Sequence, residues 1–160
     1  MLDKLSLIIA TFFGAGLSPK APGTAGSFAT LFLAFFLAYF FGLNGIIYGA
    51  VVAFFIGVAA VYRLTRNSEE KDPGKIVIDE TVGQLLAFSL VSQHLYHSLS
   101  LKALLIYILG FGLFRLFDIV KIGPVKWADS KLHNAWGVML DDVFAGLFAA
   151  IVLMLITSKL

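Results

Sequence analysis

The stretch AGSFATLFLAFFLAYFFGL, Ala25–Leu43, contains no charged residue, and GIIYGAVVAFFIGVAAVY, Gly45–Tyr62, follows it across Asn44 with none either. A membrane helix needs about 20 mostly apolar residues, within a range of about 17–25. Each stretch therefore reads as one span, with Asn44 and Gly45 as the turn between them. Further along, Val82–Leu99 reads as a third span, interrupted by Gln84, Gln93, His94 and His97. Leu101–Phe117 reads as a fourth and Val143–Ser158 as a fifth. Leu5–Gly16 is apolar but too short to cross, and it predicts an interfacial or re-entrant helix. Asp3 beside Lys4, with a glycine/proline loop downstream, argues against a cleaved leader.

Composition agrees. Of 160 residues, 59% are hydrophobic and only 14% charged, with a mean hydropathy of +0.92. A soluble domain averages roughly 45–50% apolar and about 25% charged. The expectation is a single domain over residues 1–160, an all-α polytopic membrane bundle of about five transmembrane helices plus the short N-terminal helix. A net charge of +2 is too small for a nucleic-acid footprint. The absence of cysteine excludes disulfides, thiolate metal sites and a cysteine nucleophile.

Counting spans gives sidedness. Leu17–Gly26, Arg63–Thr81 and Asp118–Asp142 fall on one side of the bilayer. They hold Lys20, Arg63, Arg66, Lys71, Lys75, Lys121, Lys126 and Lys131, and every acid except Asp3. The opposite turns hold only Lys102, so the positive-inside bias makes the shared side cytoplasmic. Trp127 and Trp136 suit interfacial anchors.

Four blocks on that polar face carry the chemistry. The loop Leu17–Ser27 has two prolines, two glycines and the hydroxyls of Thr24 and Ser27. It enters a helix whose N-terminal amides attract anions. With Lys20 beside it, the loop can cradle a phosphate; the alternative is a plain turn with Ser27 as N-cap. The Walker pattern is absent. Asp79-Glu80-Thr81-Val82-Gly83 places two acids at a helix start, where one can cap and the other must point elsewhere. Gly83, one turn beyond Glu80, allows a close approach. Arg115, Asp118 and Lys121 at i, i+3 and i+6 form a stripe at the end of the fourth span. That stripe is either an intrahelical ion pair with a snorkelling Arg or a functional cluster. Asp141-Asp142, with Gly146 about a turn on, repeats the second block.

Together Asp79, Glu80, Asp118, Asp141 and Asp142 crowd the cytoplasmic ends of three helices. Bare carboxylates at that density repel one another. Magnesium, a hard oxygen-seeking cation that keeps positions open for phosphate, relieves the conflict. Lys20, Arg115 and Lys121 then neutralise the phosphate. The composite describes metal-assisted phosphoryl chemistry at a membrane surface.

At these blocks the sequence resembles the phosphatidylglycerophosphatase A family of bacterial inner membranes. The matching blocks are PGTAGS (22–27), DETVG (79–83), FRLFDIVK (114–121) and GVMLDDVFAG (137–146), in family order. The resemblance implies magnesium-dependent hydrolysis of phosphatidylglycerophosphate to phosphatidylglycerol and inorganic phosphate, facing the cytoplasm, in phospholipid biosynthesis. It implies Asp79, Glu80, Asp118, Asp141 and Asp142 as catalytic and metal-holding acids, and Lys20, Thr24, Ser27, Arg115 and Lys121 as the phosphate grip. The partners implied are the phospholipid substrate and membrane lipids. Two departures fall in residues 122–136: Lys121-Ile122-Gly123-Pro124 keeps one of two usual prolines, and Ala135-Trp136 stands where the family has a double glycine.

Other phosphatase types fail on residues. No Asp-x-Asp-with-Thr triplet exists, and His94, His97 and His133 do not reproduce the histidine-based signature. Attack by metal-activated water is expected, with a carboxylate nucleophile as the other route. A small cation transporter using the carboxylates as an ion path is the rival reading; it calls for acids at mid-membrane depth. A structural subunit is a third, with the acids as caps and ion pairs.

Overall fold

A computed structural model describes residues 2–68, 73–132 and 134–159. Lys71 and His133 lie outside the described residues. The described secondary structure is helical throughout, in the order α1 (Leu2–Ala10), α2 (Pro22–Thr65), α3 (Ile78–Ala87), α4 (Leu101–Val120), α5 (Pro124–Lys131) and α6 (Ala135–Thr157), with short 3₁₀ turns at Ala15–Leu17 and Ser89–His94.

The two opening apolar stretches lie in α2, whose 44 residues would run for about 66 Å if straight, twice a bilayer core of about 30 Å. The helix is instead broken at Gly42, where φ is 58° and ψ −139°. A glycine takes that conformation at no steric cost. The chain doubles back there: a Cβ on Gly45 would lie 2.5 Å from the carbonyl oxygen of Leu37. The pivot falls two residues before the expected Asn44–Gly45 turn. The arms 22–41 and 43–65 thus form a helical hairpin, and Ala34, Ala38, Ile46 and Ala50 share one core cluster with Leu85 and Phe88.

Among the described residues three helices are long and apolar enough to cross a membrane: α2, α4 and α6. Val82–Leu99, expected as a continuous span, is not one continuous helix. It forms the end of α3, then a 3₁₀ turn from Ser89 to His94. The tightening starts where the Phe88 amide donates to Leu85 O at 3.1 Å. Nearly every α3 residue is buried, including Asp79, Thr81 and Gln84. Of the polar residues that interrupt the apolar pattern, Gln84 is buried against protein, whereas Gln93 and His97 are exposed beyond the end of α3. α3 packs against α2, α4 and α6 and forms the centre of the bundle.

Among the described residues, two helix starts are capped by side chains. Ser100 Oγ accepts from the Ala103 amide at 3.1 Å at the start of α4, and Asn134 Oδ1 accepts from Trp136 and Gly137 amides at 3.0 and 3.1 Å at the start of α6. α1 is nine residues long, about 14 Å at an α-helical rise and too short to cross. It lies along α2, with Asp3 Oδ1 3.4 Å from Arg63 Nε. The Ala10 carbonyl accepts from the Val77 amide at 2.8 Å, tying this segment to the approach of α3.

Candidate active site

Every candidate acid lies at a helix end or within two turns of one. Asp79 and Glu80 occupy the first turn of α3, Asp118 the last turn of α4, and Asp141 and Asp142 the second turn of α6. α3 and α6 cross at Gly83 and Gly146 with backbones nearly touching. Each glycine lies about one turn beyond the acids of its own helix, so this crossing places Asp79 and Glu80 beside Asp142. One carboxylate oxygen from each of these three residues lies within 4.8 Å of the other two. Asp79 and Asp142 are buried.

Arg115 ties α4 to this cluster. Its Nη1 is 2.8 Å from Asp118 Oδ2 and 3.8 Å from Glu80 Oε1, and donates to Ser27 Oγ at 3.3 Å. Ser27 Oγ in turn donates to the Gly23 carbonyl at 2.9 Å. The Arg115–Asp118 spacing is the i, i+3 pair expected, and it serves as a bridge between three helices. The start of α2 closes over the pair: a Cβ on Gly23 would lie 2.2 Å from Glu80 Oε1 and 3.3 Å from both Nη atoms of Arg115. The first helical position is Pro22, and Ala21 precedes it with a φ of 47° and no side-chain cap. The alternative role of Ser27 as N-cap is therefore not realised; it sits inside the helix and faces Arg115.

Lys121 departs from the stripe with Arg115 and Asp118. It caps the end of α4 at a φ of 47°, and its Nζ turns to Asp141 Oδ2 at 3.0 Å and to Asp129 on α5. Burial alone would lower the Lys121 pKa, but Asp129 and Asp141 outweigh it and raise the value, holding the ammonium charged. Asp141 Oδ1 also accepts from the Asp142 amide at 3.0 Å. Asp129 belongs to this network and was missed from the sequence; its only signal is its place on the short α5 between Lys121 and Asp141.

The structure thus gathers Asp79, Glu80 and Asp142 into one group and brings Asp118 and Ser27 to it through Arg115. Besides Asp79, the acids Asp118, Glu80 and Asp141 surround Asp142. Lys20 and Thr24 are exposed at the start of α2, outside this contact network. His94 and His97 lie beyond the far end of α3, where the His97 amide donates to Tyr39 O at 3.1 Å and its ring packs on Tyr39 and Tyr96.

The electrostatics are those of an anion-rich site. Burial, foremost, pushes the Glu80 carboxyl up from 4.5 to about 7; the nearby Asp118 charge adds to this, while the hydrogen bond with Asp79 and the Arg115 charge oppose it. Carboxylates outnumber the cations that touch them. A hard divalent cation suits that donor set, since three oxygens from separate positions already converge and more would come from water and phosphate.

The comparisons with known proteins agree with the geometry. The family model described as phosphatidylglycerophosphatase A matches residues 8–157. A Haemophilus influenzae protein named phosphatidylglycerophosphatase A is 36% identical over 156 residues, covering 94% of this chain and 91% of its own. An Escherichia coli protein of the same name is 30% identical over 145 residues, covering 89% and 78% respectively. A Bacteroides thetaiotaomicron protein, provisionally named a phosphatidylinositol-3-phosphatase, is 36% identical over 157 residues, covering 93% and 91%. No solved structure matches the chain. With four motif blocks in family order and the family model spanning nearly its whole length, the chain belongs to the phosphatidylglycerophosphatase A family and is a phosphatase of phospholipid metabolism.

Proposed function

We propose that the protein hydrolyses the terminal phosphomonoester of phosphatidylglycerophosphate, yielding phosphatidylglycerol and inorganic phosphate, with magnesium as cofactor. The observation that carries this reading is the convergence of Asp79, Glu80 and Asp142 oxygens within 4.8 Å, next to a guanidinium held by Glu80, Asp118 and Ser27. Carboxylates for a divalent ion beside a fixed cation are what a phosphate monoester needs.

In this reading Asp79, Glu80 and Asp142 hold magnesium, with Asp118 and Asp141 completing the set directly or through waters. When bound, the ion supplies charge compensation for the phosphate and the acidity that activates a water. Arg115, fixed in place by its three partners, grips the phosphoryl oxygens, assisted by Ser27 and Lys121, with Lys20 and Thr24 at the entrance. The water oxygen forms a bond to phosphorus as the bond to the headgroup oxygen breaks. The proton released passes through a carboxylate of the cluster to the departing headgroup oxygen. Acid quenching during turnover is expected to trap no phosphate on the protein; a phosphorylated carboxylate recovered from the quench contradicts direct attack by water.

The membrane arrangement follows the same logic. Both arms of α2, the stretch 82–99, α4 and α6 make five crossings. The acids and Lys20, Arg63, Arg66, Lys75, Lys121, Lys126 and Lys131 then face the cytoplasm of a bacterial inner membrane. A transporter calls for acids spread along a path through the bilayer; the grouping at one end of the bundle favours surface chemistry.

The Bacteroides relative's name favours a second substrate reading, a phosphorylated inositol lipid. Phosphate release from purified protein in detergent, measured for both lipid phosphates with magnesium and with a chelator, decides between them. Metal-dependent release from the glycerophosphate lipid at least tenfold faster than from the inositol lipid is expected. Release from neither contradicts the enzyme reading.

A further inference from the structure

Gln84 is fully buried, and neither its Oε1 nor its Nε2 has a hydrogen-bond partner among the described residues. Its chain neighbours Leu85 and, just past the end of α3, Phe88 belong to an apolar core cluster. A carboxamide left unmet in such surroundings is costly, and proteins retain one where something engages it in another state. Gln84 follows Glu80 by four residues, so the two side chains share one face of the helix. Glu80 Oε2 is also buried with no hydrogen-bond partner among the described residues, while Oε1 faces Arg115 at 3.8 Å. A donor without an acceptor and an acceptor without a donor therefore sit one helical turn apart.

We propose that Gln84 is the positioning residue for Glu80: its Nε2 donates to Glu80 Oε2 and holds that carboxylate toward Asp79 and Asp142 when the divalent ion is bound. The residue type fits the task. A glutamine side chain reaches across one turn, presents an N–H that a carboxylate accepts, and adds no charge to the interior. Partners behind a metal-binding carboxylate fix its orientation, and their loss typically costs about 10–100-fold in metal affinity or activity. This inference rests on the proposed function, since it assigns Gln84 to the ion-holding role of Glu80.

The test compares wild-type protein with Gln84→Leu and Gln84→Met in detergent, measuring thermal unfolding with and without magnesium and phosphate-release kinetics. Both substitutions remove an unmet buried amide, so the metal-free melting temperature is expected to stay level or rise. The magnesium needed for half-maximal stabilisation is expected to rise about tenfold or more, kcat to fall by about the same factor, and KM for the lipid to stay within about twofold. Unchanged metal midpoint and kcat in both variants overturns the inference alone. So does loss of folded protein in both variants, or a lower metal-free melting temperature with wild-type kcat per folded molecule, because these mark a purely structural amide. A wild-type protein with neither magnesium response nor phosphate release overturns the proposed function, and this inference with it.

Discussion

Gly146 and Gly83 meet backbone to backbone: a Cβ on Gly146 would lie 2.3 Å from the carbonyl oxygen of Gly83. This contact sets the separation of α3 and α6, and hence of Asp79 and Glu80 from Asp142. A methyl group there cannot be absorbed by rotating a side chain, because the obstacle is backbone. Gly146→Ala is expected to cost about 1–3 kcal/mol, in the range of overpacked cores. It is also expected to reduce phosphate release by more than the folded fraction explains. Wild-type melting temperature and activity in this variant contradict the close crossing.

Gly23 makes a different kind of contact. A Cβ there would lie 2.2 Å from Glu80 Oε1, the end of a flexible side chain. Gly23→Ala is therefore expected to change the melting temperature little while displacing Glu80 and Arg115. Misplacing a reacting group by about 1 Å can cost on the order of 100-fold in rate. A loss of at least tenfold in kcat with a near-normal melt is the expected result, read from parallel kinetics and unfolding curves.

Asp142→Asn and Asp118→Asn should each abolish turnover while the protein still inserts and folds. The two differ in cause. Asp142 supplies an oxygen to the three-carboxylate group, whereas Asp118 holds Arg115 at 2.8 Å. Membrane-fraction abundance and phosphate release check both; near-normal activity in either variant removes that residue from the site.

Proton linkage at Glu80 gives a test without substrate. Its carboxyl is pushed up from 4.5 to about 7, chiefly by burial. Between those values the folded state holds more protons than the unfolded state, so this group's contribution to stability falls as pH rises. The loss is complete above about 7. Magnesium competes for the same carboxylate, so its stabilising effect grows over that window. In chelator the melting temperature is expected to be lower at pH 8 than at pH 5, and magnesium is expected to close the gap. A metal-free melting temperature that climbs steadily from pH 5 to pH 8 contradicts this assignment.

Much of the site was legible because its chemistry is local in sequence. Asp79-Glu80 and Asp141-Asp142 are adjacent acids at helix starts, and each has its crossing glycine within about a turn. Arg115–Asp118 is visible as an i, i+3 pair, and the apolar runs are visible as helices by length. What stayed hidden depends on tertiary contact. Gly42 turns the chain, and not Asn44–Gly45, because a local pattern cannot say which of several small or polar residues takes the left-handed conformation. Ser27 reads as a cap until Pro22 is seen to start the helix five residues earlier. The Val82–Leu99 run reads as a continuous span, yet it holds only the last six residues of α3, buried between α2, α4 and α6, and a 3₁₀ turn. Asp129 gives no sign of itself, since only the left-handed cap at Lys121 swings that ammonium toward α5.

The central claim is that acids distant in sequence form one divalent-ion site, and metal binding itself tests it most directly. Manganese binding to purified protein in detergent, followed by electron paramagnetic resonance, reads the site without lipid or turnover. Wild-type protein is expected to bind the ion in a manner that magnesium displaces, with binding weakened about tenfold or more by Glu80→Gln and by Asp142→Asn. Equal binding in wild type and both variants, or none in the wild type, contradicts the account.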